Sequence, residues 1–451
     1  MPLFTCQNRS HFSRKHPKPR VEPTQNCSAH SLERKKRRFL RRVTHKPRSM
    51  LKNRRQALVA AGVVSTVLVA REILRRVGRR LVEAVDPVAP AAAEARALLE
   101  PPLTCEDVEA FVRETKPTTE GAAKSVTWAT RGLRRPTEFA VVYIHGWAAC
   151  RQEIAPTPQL LARALGANLY CHRLSGHGRR REESAPASSP DGDILLREAT
   201  PGRLFRDALE ALRVGRALGD RVILVGVSTG AALCTWLAAT QAGDDVAALV
   251  LVSPCFGLGH PLYPLLKIPF AALRLLPAVL CRPLRAAAIA LLLGRTKRVF
   301  QRGAEHARFN ALVYPQAALL HLLDVLFSLE RVDVARVAAP TFVALNERDP
   351  VIDVARAAAL FHDLGCGSKQ FFCCPVEEPD GGDPHVLASQ MLSPASVDAI
   401  ADAAILFVRA HLGRGHGLER RRSGAELRRG ASYGPFGSFT GLDGLTRPFP
   451  F

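Results

Sequence analysis

No C-x-x-C pair occurs among the 11 cysteines of this 451-residue chain, and its Cys and His residues nowhere take the paired spacing of zinc ligands. Neither a dithiol redox motif nor a structural zinc site is written here, and the expectation is free, buried thiols in a reducing compartment. Acidic residues are scarce at the ends. The first 56 positions hold 17 Lys and Arg against two Glu, and residues 413–451 form a second basic, Gly-rich stretch. The part between is close to neutral, so the net charge of +22 describes the ends and not the body. Residues 1–56 are also poor in apolar side chains, cannot offset their ordering entropy and are expected to be disordered. Aromatics that would stack on bases are sparse among them, which argues against nucleic acid. The uses left for this arm are an organelle-targeting peptide, a nuclear-import signal and an arm on anionic lipid, unless Met50 is the true start.

A long charge-free apolar run is missing too. Residues 57–70, ALVAAGVVSTVLVA, would reach about 21 Å as a helix, short of a hydrocarbon core of about 30 Å. Arg54, Arg55 and Arg71 flank it and have the length to snorkel. No A-x-A site closes the run, which speaks against a cleaved signal peptide. The next stretch, REILRRVGRRLVEAV, sets Ile73, Leu74, Val77, Leu81 and Val82 on one face and arginines elsewhere. That is the pattern of a basic helix lying at a membrane surface, so residues 57–83 are expected to associate with membrane; the plainer reading is a helix packed on the globular body. The protein would then be membrane-associated, facing the cytoplasm or delivered to an organelle.

What the chain does have is alternation. After a linker with a helix or two over 84–120, apolar strands at 125–130, 139–144, 167–174, 222–227 and 246–252 alternate with helices at 158–165, 202–218 and from 231. Residues 121–254 therefore read as the first part of a mostly parallel sheet flanked by helices. A charged insertion interrupts it at 179–193. Residues 255–330 break the rhythm with Pro-punctuated apolar sequence of helical character, with 312–329 as a second helical stretch. Lys267, Arg274, Arg282 and Arg285 interrupt it too often for a transmembrane pair. A helical cap over an apolar pocket is expected. The sheet resumes over 331–412, with strands at 341–345 and 370–374 and helices at 354–364 and 395–412.

Within this frame, Gly226-Val227-Ser228-Thr229-Gly230 fits G-x-S-x-G between a buried strand and a small-residue helix. A sharp strand-to-helix turn of this kind lifts a serine above the sheet, and glycine two residues to either side avoids collision across the turn. A serine hydroxyl needs an adjacent base that a third group orients. Side chains that do chemistry in such a sheet come from loops at the strands' C-terminal ends. Asp349 follows the strand at 341–345, ahead of Glu347 and of Asp353, which is placed to cap the next helix. His385 follows the last strand in a Gly/Pro-rich loop, whereas His362, His321 and His411 fall on helices. The order Ser228, Asp349, His385 is the one expected for this architecture. The backbone N–H of Thr229 is one candidate oxyanion donor and that of Trp147, after Gly146, the other. His145 and His177 read as turn braces.

The set His145-Gly146-Trp147, Arg173–Gly178, Gly226–Gly230, Asp349-Pro350-Val351 and His385 resembles an α/β-hydrolase of the monoacylglycerol lipase and lysophospholipase type over residues 124–412. The resemblance implies Ser228 as nucleophile, His385 as base, Asp349 as orienting acid, oxyanion N–H groups from Trp147 and Thr229, and a cap at 255–330. Two features depart from it: the N-terminal 120 residues with the insertion at 179–193, and Arg173-Leu174-Ser175, where many members carry Asp-x-Arg. The expectation is a serine hydrolase acting on a carboxylic ester with an apolar acyl group, a lipid or a simple ester, with no metal or organic cofactor. A thioesterase or serine peptidase would use the same residues, and a non-catalytic binding or membrane-tethered scaffold protein is the alternative of another class. Oligomeric state is not legible.

Overall fold

The computed structural model describes residues 72, 73, 76, 89–179, 194–241, 245–260, 263–374 and 382–412. The arm 1–56, the apolar run 57–70, most of the amphipathic segment that follows, the insertion beyond residue 179 and the tail 413–451 lie outside the described residues. In chain order come α1 (Ala92–Leu99), α2 (Val108–Phe111), β1 (Ser125–Thr127), β2 (Thr137–Ile144), α3 (Thr157–Leu165), β3 (Asn168–Cys171) and α4 (Ile194–Glu198). Next are α5 (Pro201–Leu218), β4 (Gly219–Val227), α6 (Thr229–Thr240) and β5 (Val246–Val252). The region after β5 holds α7 (Tyr263–Leu273), α8 (Ala278–Leu293), β6 (Thr296–Arg298), α9 (Ala304–Phe309), β7 (Val313–Pro315) and α10 (Leu319–Leu329). The chain then returns through β8 (Thr341–Leu345), α11 (Val354–Asp363), β9 (Lys369–Cys373) and α12 (Val397–Leu412).

Seven strands form one sheet in the order β1-β3-β2-β4-β5-β8-β9, parallel throughout except for β1 at the edge. The central strands are buried on both faces, which is why they read as unbroken apolar runs. Alternation within them divides the core. Val142, Ile144, Val222, Leu224, Leu249 and Leu251 face a layer with α5 and α6, and Val141, Tyr143, Ile223, Val225, Val250 and Val252 face α3 and α12. This is the α/β-hydrolase fold, a mostly parallel sheet flanked by helices.

Two expectations need correction. Residues 312–329 are not one helix: Val313–Pro315 pairs antiparallel with Thr296–Arg298 before α10 begins at Leu319. Val313 and Tyr314 favour extended backbone, and Pro315 both disfavours helical geometry before it and lacks an N–H to continue one. The stretch 84–120 also does more than link. Helix α1 packs on α5, and Ala95, Leu99, Cys105 and Val108 are buried in the same core as the sheet. Nine free cysteines lie among the described residues, all buried but Cys373. No helix among those residues is long and apolar enough to cross a membrane.

Candidate active site

Strand β4 ends at Val227, and the next residue, Ser228, has its backbone at φ 50° and ψ −113°, a strained combination for a non-glycine residue. The turn is tight enough that a Cβ at Gly226 would lie 2.6 Å from Ala231 Cα, and one at Gly230 would lie 2.0 Å from the carbonyl oxygen of Ile144. Glycine at both places is what permits the turn. Two hydrogen bonds pin it: Ser228 N–H donates to the Val252 carbonyl (3.0 Å) and Cys255 N–H to the Ser228 carbonyl (3.1 Å). The strain is thus held by the neighbouring strand and the loop that follows it.

His385 stands over this turn. Its Nε2 lies 3.1 Å from Ser228 Oγ, and its Nδ1 lies 2.7 Å from Asp349 Oδ2. With Nδ1–H donated to the carboxylate, Nε2 is left as acceptor for the serine hydroxyl. Asp349 Oδ1 accepts the N–H groups of Val351 (2.8 Å) and Ile352 (3.3 Å), so the loop after β8 fixes the carboxylate that fixes the imidazole. Burial works against a charged imidazole at His385. The charge and hydrogen bond of Asp349, helped by Asp383 and Glu153, more than offset this and hold its pKa above the ordinary histidine value. Asp383 also shapes the histidine loop: its Oδ1 accepts the N–H groups of His385 (2.8 Å) and Val386 (3.1 Å), and its Oδ2 meets Arg302 Nε at 3.1 Å.

The loop after β2 lies against the serine, since a Cβ on Gly146 would be 3.3 Å from Ser228 Cβ. Thr229 opens α6, where an N–H has no acceptor four residues back in the helix. His145 and His177 do not reach Ser228. His145 Nδ1 donates to the Gly146 carbonyl (2.8 Å) and Nε2 accepts Leu174 N–H (3.0 Å), which ties the loop after β2 to the turn after β3. His177 Nδ1 meets the Ser175 carbonyl at 2.9 Å. Burial drives both pKa values down, that of His145 well below the usual range and that of His177 to about 4, so both rings are neutral braces. Asp353 caps α11 by accepting Arg356 N–H (2.9 Å). His321 is spent on the Leu196 carbonyl, His411 on that of Phe407, and His362 is exposed beside Asp363. Among the described residues no group of three His, Cys, Asp or Glu side chains gathers as a metal would require.

The model of the Alpha/beta hydrolase family matches residues 141–402, more than half of the chain. The chain belongs to that family. Among solved structures it is similar to a metagenome-derived lipolytic enzyme described with LipS and LipT, at 18% identity and a TM-score of 0.48, covering 65% of this chain and 100% of the other. It is also similar to a soluble variant of monoglyceride lipase from Saccharomyces cerevisiae, at 12% identity and a TM-score of 0.43, covering 66% and 97%. A third similarity is to the monoacylglycerol lipase of Paleococcus ferrophilus, at 14% identity and a TM-score of 0.38, covering 64% and 98%. A search of curated protein sequences gives no match.

Two features of this hydrolase escape its sequence. The first is Glu153, buried beneath the loop after β2, whose Oε2 accepts Gly146 N–H at 2.6 Å and lies 3.4 Å from the Tyr143 hydroxyl. Desolvation pushes its pKa up to about 7, against the pull of Gly146 N–H and His385. The only sign of it is a lone acid seven residues after Gly146 in an otherwise uncharged-to-basic stretch. The second is the fastening of residues 302–311, in the region after β5, to the loops that carry Trp147 and His385. Ala311 N–H donates to the Ala148 carbonyl (2.7 Å) beside Trp147, and Arg302 reaches Asp383 beside His385.

Proposed function

We propose that the chain is a serine hydrolase that cleaves a carboxylic ester with an apolar acyl group through an acyl-serine intermediate. The observation behind it is the unbroken line of hydrogen bonds from Ser228 through His385 to Asp349. In this reading His385 Nε2 takes the proton of Ser228 Oγ as the oxygen attacks the ester carbonyl. The tetrahedral oxyanion rests on the N–H groups of Trp147 and Thr229. Collapse expels the alcohol, which receives the proton from His385, and His385 then activates the water that frees the acid. Asp349 holds the tautomer and stabilises the transient imidazolium, for which the raised pKa of His385 is a favourable setting. The apolar, acid-free sequence over 255–303 supports an apolar acyl group.

Labelling with a serine-directed fluorophosphonate tests this. Wild type should label and Ser228→Ala should not, with hydrolysis of a short-chain ester reduced by roughly 10³-fold or more. Absence of labelling in folded wild type would sink the reading. A series of oxygen esters, thioesters and amides of increasing acyl length then assigns the leaving group. For location, residues 57–83 are proposed as the tether to membrane. Deleting residues 57–82 should move the protein from the membrane pellet to the supernatant.

A further inference from the structure

Helix α8 is turned inside out relative to an ordinary surface helix. The seam it buries, at i, i+4 and i+8, is Cys281, Arg285 and Ile289, with Arg285 paired to Asp324 of α10 at 2.7 and 3.0 Å. The face it shows to solvent, at i, i+4, i+7 and i+11, is Leu280, Leu284, Ala287 and Leu291. Leu280 is 51%, Leu284 46% and Leu291 85% exposed. A helix that simply covers a core keeps its leucines inward and its arginines outward. Here an arginine is inside with a carboxylate partner, and the leucines form a stripe about three turns long with nothing among the described residues over them.

The charge around the stripe is one-sided. Residues 255–303 contain eight Lys and Arg and no Asp or Glu. Lys267, Arg274, Arg285 and Arg302 are engaged by Glu330, Asp324 and Asp383. Arg282 stands exposed on α8, and Arg295, Lys297 and Arg298 stand exposed just past its end, next to an 80% exposed Phe300. An apolar stripe bordered by exposed cations, in a stretch that carries no acidic residue of its own, is complementary to a surface that is itself apolar below and anionic above. A second copy docked on the same face by a two-fold axis would set cation against cation.

The geometry points to the outer face of α8, with the basic strand β6 beside it, as a docking surface for anionic bilayer. The leucines enter the boundary between headgroups and acyl chains, and Arg282, Arg295, Lys297 and Arg298 meet lipid phosphates. This contact is separate from residues 57–83, places the cap itself on the lipid, and does not depend on what bond the enzyme cleaves.

Hydrogen–deuterium exchange of the full chain, read by mass spectrometry, tests it with vesicles of phosphatidylcholine alone and of phosphatidylcholine with phosphatidylserine. The expected result is slowed exchange over 275–300 with the anionic vesicles, little with the neutral ones, and less as salt is raised. The variant Leu280→Glu, Leu284→Glu, Leu291→Glu should lose this protection while labelling with fluorophosphonate in solution like wild type. Should that variant fail to fold, the charge variant Arg282→Gln, Arg295→Gln, Lys297→Gln, Arg298→Gln serves instead, and its preference for anionic vesicles should disappear. Protection confined to residues 57–83, with the cap exchanging as in free protein, would overturn the proposal. So would protection of 275–300 that grows with protein concentration without vesicles, which would mark self-association. A wild type that never labels but still shows the lipid-dependent protection would fail the hydrolase reading and leave this one standing.

Discussion

Glu153 is a carboxyl placed where a charge is costly, and its surroundings set how it should affect pH dependence. Its proton comes off near pH 7, and the charge that appears favours the protonated form of His385. In Glu153→Gln an amide oxygen remains to accept Gly146 N–H, but that charge is gone. If His385 is the base, as proposed, the acid limb of the kcat/KM profile reports loss of its neutral form and should therefore move to lower pH, with only a modest change in the plateau. A profile that does not move would show that the charge is not felt at His385. Stability carries a second signature. The folded-state pKa of Glu153 lies above the ordinary carboxylate range, so its contribution is fully present below that range and is lost as pH rises through about 7. The thermal midpoint of wild type should fall relative to Glu153→Gln over that window. Ser228, Asp349 and His385 were legible because each follows a recognisable strand. Glu153 was not, because its role depends on a chain reversal that returns residue 153 to residue 146, and no local pattern encodes it.

Among elements, the strand–serine–helix unit is the least tolerant of change. A methyl group at position 230 would press within 2.0 Å of a backbone carbonyl in β2, and neither backbone can yield without losing sheet register. Gly230→Ala should cost about 3 kcal/mol or more in urea unfolding, and its remaining folded fraction should label poorly. Gly132 offers the contrast in open space, where an added methyl carbon would meet nothing within 4 Å, although its φ of +77° still favours glycine. The central strands were readable as elements because burial on both faces leaves an unbroken apolar signature; strand 246–252 agrees to the residue. The β6–β7 pair was not readable. Three residues per strand are too few to show a period, and its two halves are separated by α9.

For the molecule as a whole, the surprise is how far the core extends toward the N-terminus. Glu114 meets Arg173 through two hydrogen bonds of 2.7 Å, and Arg173 also donates to the His177 carbonyl in the turn after β3. The sequence marked Arg173 as unusual and residues 84–120 as a linker, yet nothing local shows that one answers the other across 59 positions. Glu114→Ala would leave a mostly buried guanidinium without its carboxylate, so a loss of about 3 kcal/mol is expected in denaturant unfolding. Glu114→Gln should recover part of it. A truncation that starts at residue 121, reasonable from composition alone, should be less stable still, because it removes the apolar cover that α1 lays on α5.

The bonds from Ala311 to Ala148 and from Arg302 to Asp383 have a mechanical consequence. Any movement large enough to lift residues 302–311 away from these partners must pull on the loop that carries Trp147 and on the loop that carries His385. On the proposed serine-hydrolase reading, admission and alignment would then be one interlock: raising residues 302–311 would draw His385 away from Ser228, and water entering an empty site would meet a hydroxyl with no base in place to sharpen it.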